Sequence, residues 1–472
     1  MLKQIQSNLI NASNKLSAKT LSWIFLLLAT SQALFLITAT PPYQTADAIA
    51  HFLRAYQLWE GAPIEAVNGA VGADIDVGVM DLYHSVDGMS FSYQTKFTRD
   101  RFNLAENAVE TGVKGHFLFP NTAQYSFLNY IPQLSVLYLT KGHHRKVWKL
   151  YELMCTANAL TAIFLTFLAI RLGGAVAPLL FAVGLLPETL ALYASVSQDA
   201  SLISLSLLLC ALLARSIAER RYNPYAIAGI VVSALVITTG RPPYIALLLS
   251  IFCSHVIFSR SESQVINLKN KIIAFAATLI AGLAVAASCI INAGGGVKLE
   301  GADPKQQLRF LISHPFDLPK IIINTVENHS NDILHTMVGD FGWLDAPLPN
   351  FAVYVGALFL VTAFMVSAFG YSESPRNKNV APIVSAIICA TGVCFAQYLT
   401  WTKVGTLDVE GIVGRYLLPL LPFAGISTSS FGLFLGKIDI QLPVALLRLL
   451  LVSLPYLLAY ETISCILLRY YI

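Results

Sequence analysis

The chain is divided into apolar blocks of nearly bilayer length, and nothing else in it limits folding so strongly. The blocks lie at about 21–39, 147–170, 175–194, 200–218, 225–239, 244–258, 272–292, 351–370, 380–400, 413–435 and 441–468. A helix needs about 20 apolar residues to cross the hydrocarbon core, where every backbone polar group must be satisfied within the protein. The blocks therefore predict an all-α polytopic membrane protein with about 11 transmembrane helices. The break at Gly240-Arg241-Pro242-Pro243 leaves 225–258 open as two spans or one broken helix. Of the 472 residues, 56% are apolar and 12% charged, roughly half the charge of a soluble domain. That composition argues against a soluble enzyme, a nucleic-acid module or a disulfide-stapled secreted domain. The net charge of +4 is too small to imply a polyanionic partner such as nucleic acid.

Charge distribution orients the blocks. Lys3, Lys15 and Lys19 precede the first one, which places the N-terminus in the cytoplasm by the positive-inside rule. Its 19-residue apolar core is too long for a signal-peptide h-region, so it reads as a retained span. Alternation then puts Arg171, Arg215, Arg220, Arg221, Arg260, Lys269, Lys271, Arg376, Lys378 and Lys437 inside. The segments 40–145, 293–350 and 401–412, with the C-terminus, fall outside. Neither duplication nor a low-complexity linker interrupts the sequence, so 1–472 reads as one membrane domain. Cys155, Cys210, Cys253, Cys289, Cys389, Cys394 and Cys465 lie in apolar segments without CxxC spacing and read as small apolar fillers.

The external segments hold the chemistry. Asp47, His51 and Arg54 would share a helix face. That pattern fits an N-capping aspartate with ordinary neighbours, or a carboxylate base at the mouth of a membrane cavity. The stretch Phe119-Pro-Asn121 to Tyr130-Ile-Pro132-Gln133 reads as an aromatic interfacial anchor. Arg241, at its proline break, either snorkels or meets an anion. Gly294-Gly-Gly296 lacks the following Lys-Ser/Thr of a phosphate loop. Asp303 to Pro315 predicts an amphipathic interfacial helix. Gly339-Asp340-Phe-Gly342-Trp343-Leu-Asp345 is dense in glycine and carboxylate, while Asn328-His-Ser330 is a glycosylation sequon meaningful only in a eukaryotic secretory context. In the last segment, Lys403 with Arg415-Tyr416 suits either a bound phosphate or lipid headgroups. Glu188 and Asp199 are intramembrane carboxylates, functional candidates by default, although Asp199 also suits a helix cap.

Seven segments in this order resemble the DUF2142 family, bacterial multi-pass membrane proteins grouped with the GT-C glycosyltransferases. They are Pro41-Pro42 through Asp47-x-x-x-His51-Phe-x-Arg54-Ala-Tyr56; Asn121-Thr-Ala-x-Tyr125 with Tyr130-x-Pro132-Gln133; Ala194-Ser-x-Ser197-x-Asp199; Arg241-Pro-Pro-Tyr244; His314-Pro315; Gly342-Trp-Leu-Asp345; and Gly411-x-x-Gly414-Arg415-Tyr416-x-x-Pro419. One departure is Ala48, where the family usually has a second acidic residue. The resemblance implies a GT-C-like fold and inverting transfer of a hexose, glucose first, from a polyprenyl-phosphate sugar to an extracytoplasmic glycan such as O-antigen. Asp47 would be the base. Arg415, Tyr416, Lys403, Arg241 and Tyr244 would hold the donor phosphate, and His51, Arg54 and Asp345 would orient the base or contact the acceptor. The sequence specifies no cofactor; a divalent metal is compatible with it but not required by it. The setting implied is a bacterial inner membrane with the site facing the periplasm, served by a polyprenyl-phosphate-sugar synthase and a flippase. The alternatives are a flippase or transporter of lipid-linked sugars and a glycan polymerase or ligase. Against a transporter, only the break at 240–243 suggests a discontinuous helix, and it has no partner.

Overall fold

The computed structural model describes residues 15–67, 70–140, 144–219, 224–250, 301–369, 380–428 and 441–472, with isolated positions outside these ranges. It begins with α1 (Ala18–Ala39), whose start is capped by Ser17 accepting from the Thr20 amide. At 1.5 Å per residue such a helix rises about 33 Å, enough to cross a bilayer. The segment before the next long helix folds as α2 (Ala48–Glu60), β1 (Glu65–Val67), β2 (Ala70–Asp76), α3 (Gly78–His84), α4 (Arg99–Asn107), β3 (Lys114–Leu118) and α5 (Ile131–Leu139). The helices then continue as α6 (Val147–Leu172), α7 (Ala177–Gly184), α8 (Pro187–Tyr193), α9 (Asp199–Glu219) and α10 (Pro224–Gly240). After the described chain resumes come α11 (Pro304–Ser313), α12 (Leu318–Val338), the hairpin β4 (Asp340–Phe341) and β5 (Ala346–Pro347), α13 (Asn350–Phe369), α14 (Ala381–Thr400), α15 (Leu421–Thr428) and α16 (Gln441–Tyr470).

Among the described residues, six helices are long and apolar enough to cross a membrane: α1, α6, α9, α13, α14 and Leu442–Tyr470 of α16. A seventh crossing arises if Gly174–Gly184 and Pro187–Tyr193, bent by 76°, form one span. Proline explains the bend, because Pro187 cannot donate the hydrogen bond that would carry α7 onward. This is a polytopic helical membrane protein, but the described residues do not reach eleven crossings. Block 225–239 forms α10, shorter than a span. Block 413–435 begins as a 3₁₀ turn (Gly414–Tyr416) followed by the eight-residue α15. Most of 244–258 and 272–292, with Gly294–Gly296, Cys253 and Cys289, lies outside the described residues. The centre of the bundle is α9, with 83% of its apolar window buried.

Segment 40–145 is more than interfacial helices. It carries a three-stranded antiparallel sheet in the order β1-β2-β3, with Ala73 opposite Phe117. Asp76 closes this unit: its carboxylate accepts from the amides of Gly78, Thr111 and Gly112. Segment 301–349 gives the expected amphipathic helix as α11, capped by Asp303 accepting from the Lys305 and Gln306 amides. Cys155, Cys210, Cys389, Cys394 and Cys465 are free thiols, in keeping with their apolar settings.

The end of α16 is bound into segment 40–145. Arg469, fully buried, donates to the carbonyls of Met89 and Thr95 and to Asp345 at 2.8 Å, and the Phe97 amide donates to the Tyr470 carbonyl. Asp345 thus braces the fold; its other oxygen accepts from the Trp343 amide. Asp345→Ala would strand a buried guanidinium, a loss of about 3–5 kcal/mol. It should appear as a marked drop in melting temperature in detergent, while an exposed pair such as Lys320–Asp317, removed by Asp317→Ala, should shift it little.

Candidate functional site

Asp47 sits at the N-cap of α2, but it does not cap the helix. Its backbone is left-handed at φ 62° and its side chain makes no capping bond. A non-glycine residue there costs on the order of 1–3 kcal/mol unless its surroundings impose it. Those surroundings are specific. The Trp343 indole donates to the Tyr43 carbonyl at 3.0 Å and the Tyr470 hydroxyl to the Gln44 carbonyl at 3.2 Å, while Thr45 pairs with Gly342 of the β4–β5 turn. The turn needs glycine there, because φ is +70° and a Cβ would lie 2.1 Å from the Asp345 carboxylate. Held in this way, the Asp47 carboxylate accepts from Arg415 Nη2 at 2.9 Å and from Asn121 Nδ2 at 2.8 Å. The ordinary capping interpretation of Asp47 is therefore corrected.

Arg415 continues the arrangement inward. Its guanidinium lies 3.9 Å from Asp199, and Asp199 also pairs with Arg241 at 3.1 Å. Asp199 opens α9, yet its carboxylate is the shared counter-ion of two arginines rather than a cap. Arg241 does not snorkel: its guanidinium lies 3.9 Å from the Tyr416 ring centre, and the Tyr244 hydroxyl donates to the Tyr416 carbonyl at 2.6 Å. Asp47, Arg415, Asp199 and Arg241 thus form one continuous chain of alternating charges, with the neutral Asn121 amide donating to its outer end. Within it, Arg415 Nε is buried and makes no hydrogen bond. Gly414 sets the position of Arg415. A Cβ at Gly414 would meet the Ile333 carbonyl of α12 at 1.9 Å, and its amide donates to Thr336 Oγ1 at 2.7 Å.

A neutral network supports the ionic chain. The Tyr130 hydroxyl lies 2.7 Å from His51 Nδ1, Ser197 Oγ lies 3.4 Å from Nε2, and the Tyr125 ring stacks on the imidazole at 6.0 Å. Burial pushes the His51 imidazole down to about 4, so it is neutral at pH 7. Burial alone would raise the Asp47 carboxyl, but Arg415, with His51 and Asn121, outweighs it and holds the group below its ordinary value. Arg54 faces away from Asp47, donating to the Tyr125 carbonyl at 2.6 Å and to Gln57. It secures the ring that stacks on His51. The stretch from Phe119 to Gln133 is not a surface anchor, since Asn121, Tyr125 and Tyr130 all turn toward this cluster. Of the remaining expected residues, Asp345 belongs to the Arg469 brace. Lys403 is exposed, with its stem near Gly301 and its amide 3.4 Å from Glu410, and no contact joins it to the cluster among the described residues.

A small, partly open pocket lies beside Arg415. Thr45, Ala46 and Arg415 form its wall toward Asp47, and Glu188, Asp340 and Gln44 line it as well. Sequence reasoning singled out Glu188 and placed Asp340 in a dense motif, but gave no site role to Asn121, Tyr125, Tyr130, Ser197 or Gln44. Among the described residues no group of three His, Cys, Asp or Glu side chains is placed to hold a metal ion.

Residues 32–424, most of the chain, match a family described as predicted membrane proteins, DUF2142. No curated protein and no solved structure matches the chain.

Two outcomes follow from the geometry. An unfolded histidine takes up its proton near 6.5, whereas folded His51 resists until about 4, so the unfolded state binds more protons between these values. Stability should therefore fall as pH drops through that window, by at most about 1.4 kcal/mol per unit from this group. His51→Gln should flatten the slope in a melting-temperature series. Gly414→Ala, whose methyl group has no room against α12, should shift Arg415 and lower the melting temperature further than Gly61→Ala. Gly61, unlike Gly414, is left-handed, and its Cβ would meet open space.

Proposed function

The chain belongs to the DUF2142 family of predicted membrane proteins, and on that premise we propose that it is an inverting GT-C-type membrane glycosyltransferase. It moves a hexose, glucose first, from a polyprenyl-phosphate sugar to a hydroxyl of an extracytoplasmic glycan such as O-antigen. The observation that carries this reading is the Asp47–Arg415 pair: a carboxylate held in a demanding backbone geometry, paired with a guanidinium that lines a pocket. In this reading the protein crosses a bacterial inner membrane about eleven times. The N-terminus is cytoplasmic and the site faces the periplasm.

The chemistry follows from the placement of charge. The donor phosphate binds the Arg415 guanidinium, with Arg241 and its tyrosines Tyr244 and Tyr416 behind. Phosphate then competes with Asp47 for the guanidinium, so donor binding relieves the pull that keeps the Asp47 carboxylate a weak base. The acceptor hydroxyl attacks the anomeric carbon as Asp47 takes its proton. The bond from that carbon to the phosphate oxygen breaks, and its electron pair leaves with polyprenyl phosphate. Arg415 stabilises the charge that grows on the leaving oxygen. A single base and direct displacement invert the anomeric centre. His51, neutral and fixed by Tyr130 and Ser197, and Arg54, acting through Tyr125, hold the base in place.

Asp47→Asn should lower transfer by at least about 10²-fold, the lower end for a positioned base, while the protein still binds donor and stays monodisperse in detergent. An active Asp47→Asn protein would overturn the base assignment. With labelled polyprenyl-phosphate hexose, a transferase releases polyprenyl phosphate and joins one sugar to the acceptor. A flippase changes sidedness without breaking bonds, and a polymerase or ligase moves whole oligosaccharides.

A further inference from the structure

One wall of the cavity is not used by the ionic chain. Gln44 is 1% exposed, and its Oε1 makes no hydrogen bond. Asp340 Oδ1 is also buried and unpartnered. Glu188, also buried, accepts one long bond, 3.4 Å, from the Asp340 amide. All three residues line the cavity. A buried acceptor without a donor costs about 1–3 kcal/mol, so this wall is incomplete until something in the cavity supplies hydrogen. What is missing on this wall is donors, while the Arg415 guanidinium lines the same cavity as a cation.

A metal ion does not fit that demand, since no three ligating side chains converge among the described residues and a guanidinium shares the space. A ligand rich in hydroxyl groups and carrying an anion does fit. The carbons Leu36, Ile37 and Ala191 on the same cavity suit the C–H faces of a pyranose ring. Burial, with the charge of Asp345 adding to it, pushes the Asp340 carboxyl up to about 6.

We infer that Gln44, Glu188 and Asp340 form the subsite that recognises the hexose of the lipid-linked donor, its hydroxyls donating to these oxygens while Arg415 holds the adjoining phosphate. The inference rests on the transferase reading for the identity of the lipid. The donor's sugar is favoured over the acceptor's because the sugar of a glycosyl phosphate lies one bond from the group on Arg415, within the same cavity.

The test is a binding measurement with purified full-length protein in detergent, comparing polyprenyl-phosphate hexose with polyprenyl phosphate. The wild type should prefer the sugar-bearing lipid by at least tenfold. Asp340→Asn and Gln44→Met should bring that preference close to one while binding polyprenyl phosphate as the wild type does, which also reports that they fold. Glu188→Gln serves where either variant fails that check. Monodeoxy hexose donors should identify one hydroxyl whose removal weakens wild-type binding but not that of Asp340→Asn. A preference that survives all three substitutions overturns the subsite. Loss of acceptor affinity with donor preference intact overturns its assignment to the donor. Sugar-selective binding without any transfer supports the subsite and counts against the transferase reading.

Discussion

The ion pair between Asp47 and Arg415, residues 368 positions apart, is the contact around which the protein is arranged. One partner comes from the link between the first span and its following helix, and the other from a 3₁₀ turn near the end of the described helical bundle. A carboxylate and a guanidinium that leave bulk water must find each other or lose several kcal/mol. The chain between them is routed to make that meeting possible. The connector at 41–47 is held by Trp343, Tyr470 and Gly342, and the turn at 414–416 by close backbone packing on α12. Asp199 and Arg241 extend the pair so that no charge in the group is left alone.

Much of this was legible in the sequence, for physical reasons. Charge is costly near an apolar bundle, so the few charged residues at block ends mark the places where structure has to compensate. Asp47, Asp199, Arg241 and Arg415 stand out in that way and meet. Asp345 stands out equally but compensates Arg469, a cation near the end of α16. Scarcity identifies which charges are paired, but not with whom. Lys403 shows the converse, since a cation near Arg415 in sequence remains at the surface.

The neutral half of the site was hidden. Asn121, Tyr125 and Tyr130 occur in an aromatic, proline-punctuated stretch whose composition is that of an interfacial belt, and composition does not reveal which way a ring turns. The small sheet escaped notice because β2 is seven residues long and has Gly72 and two aspartates, unfavourable strand residues whose partners lie in β1 and β3. The bend at Pro187 was likewise masked by the continuous hydropathy of the block around it. In each case local pattern was overridden by long-range contact.

The packing of Gly414 on Ile333 has a kinetic consequence. With no space between turn and helix, Arg415 cannot be a mobile finger that swings onto an incoming anion; it is a stator, fixed before any ligand arrives. Its alignment was settled during folding, so in the proposed transfer little reorganisation remains at the moment of reaction. On that proposal the slow coordinates are those of the ligand itself, the entry of a long lipid from the bilayer and its departure, rather than the assembly of the charged groups.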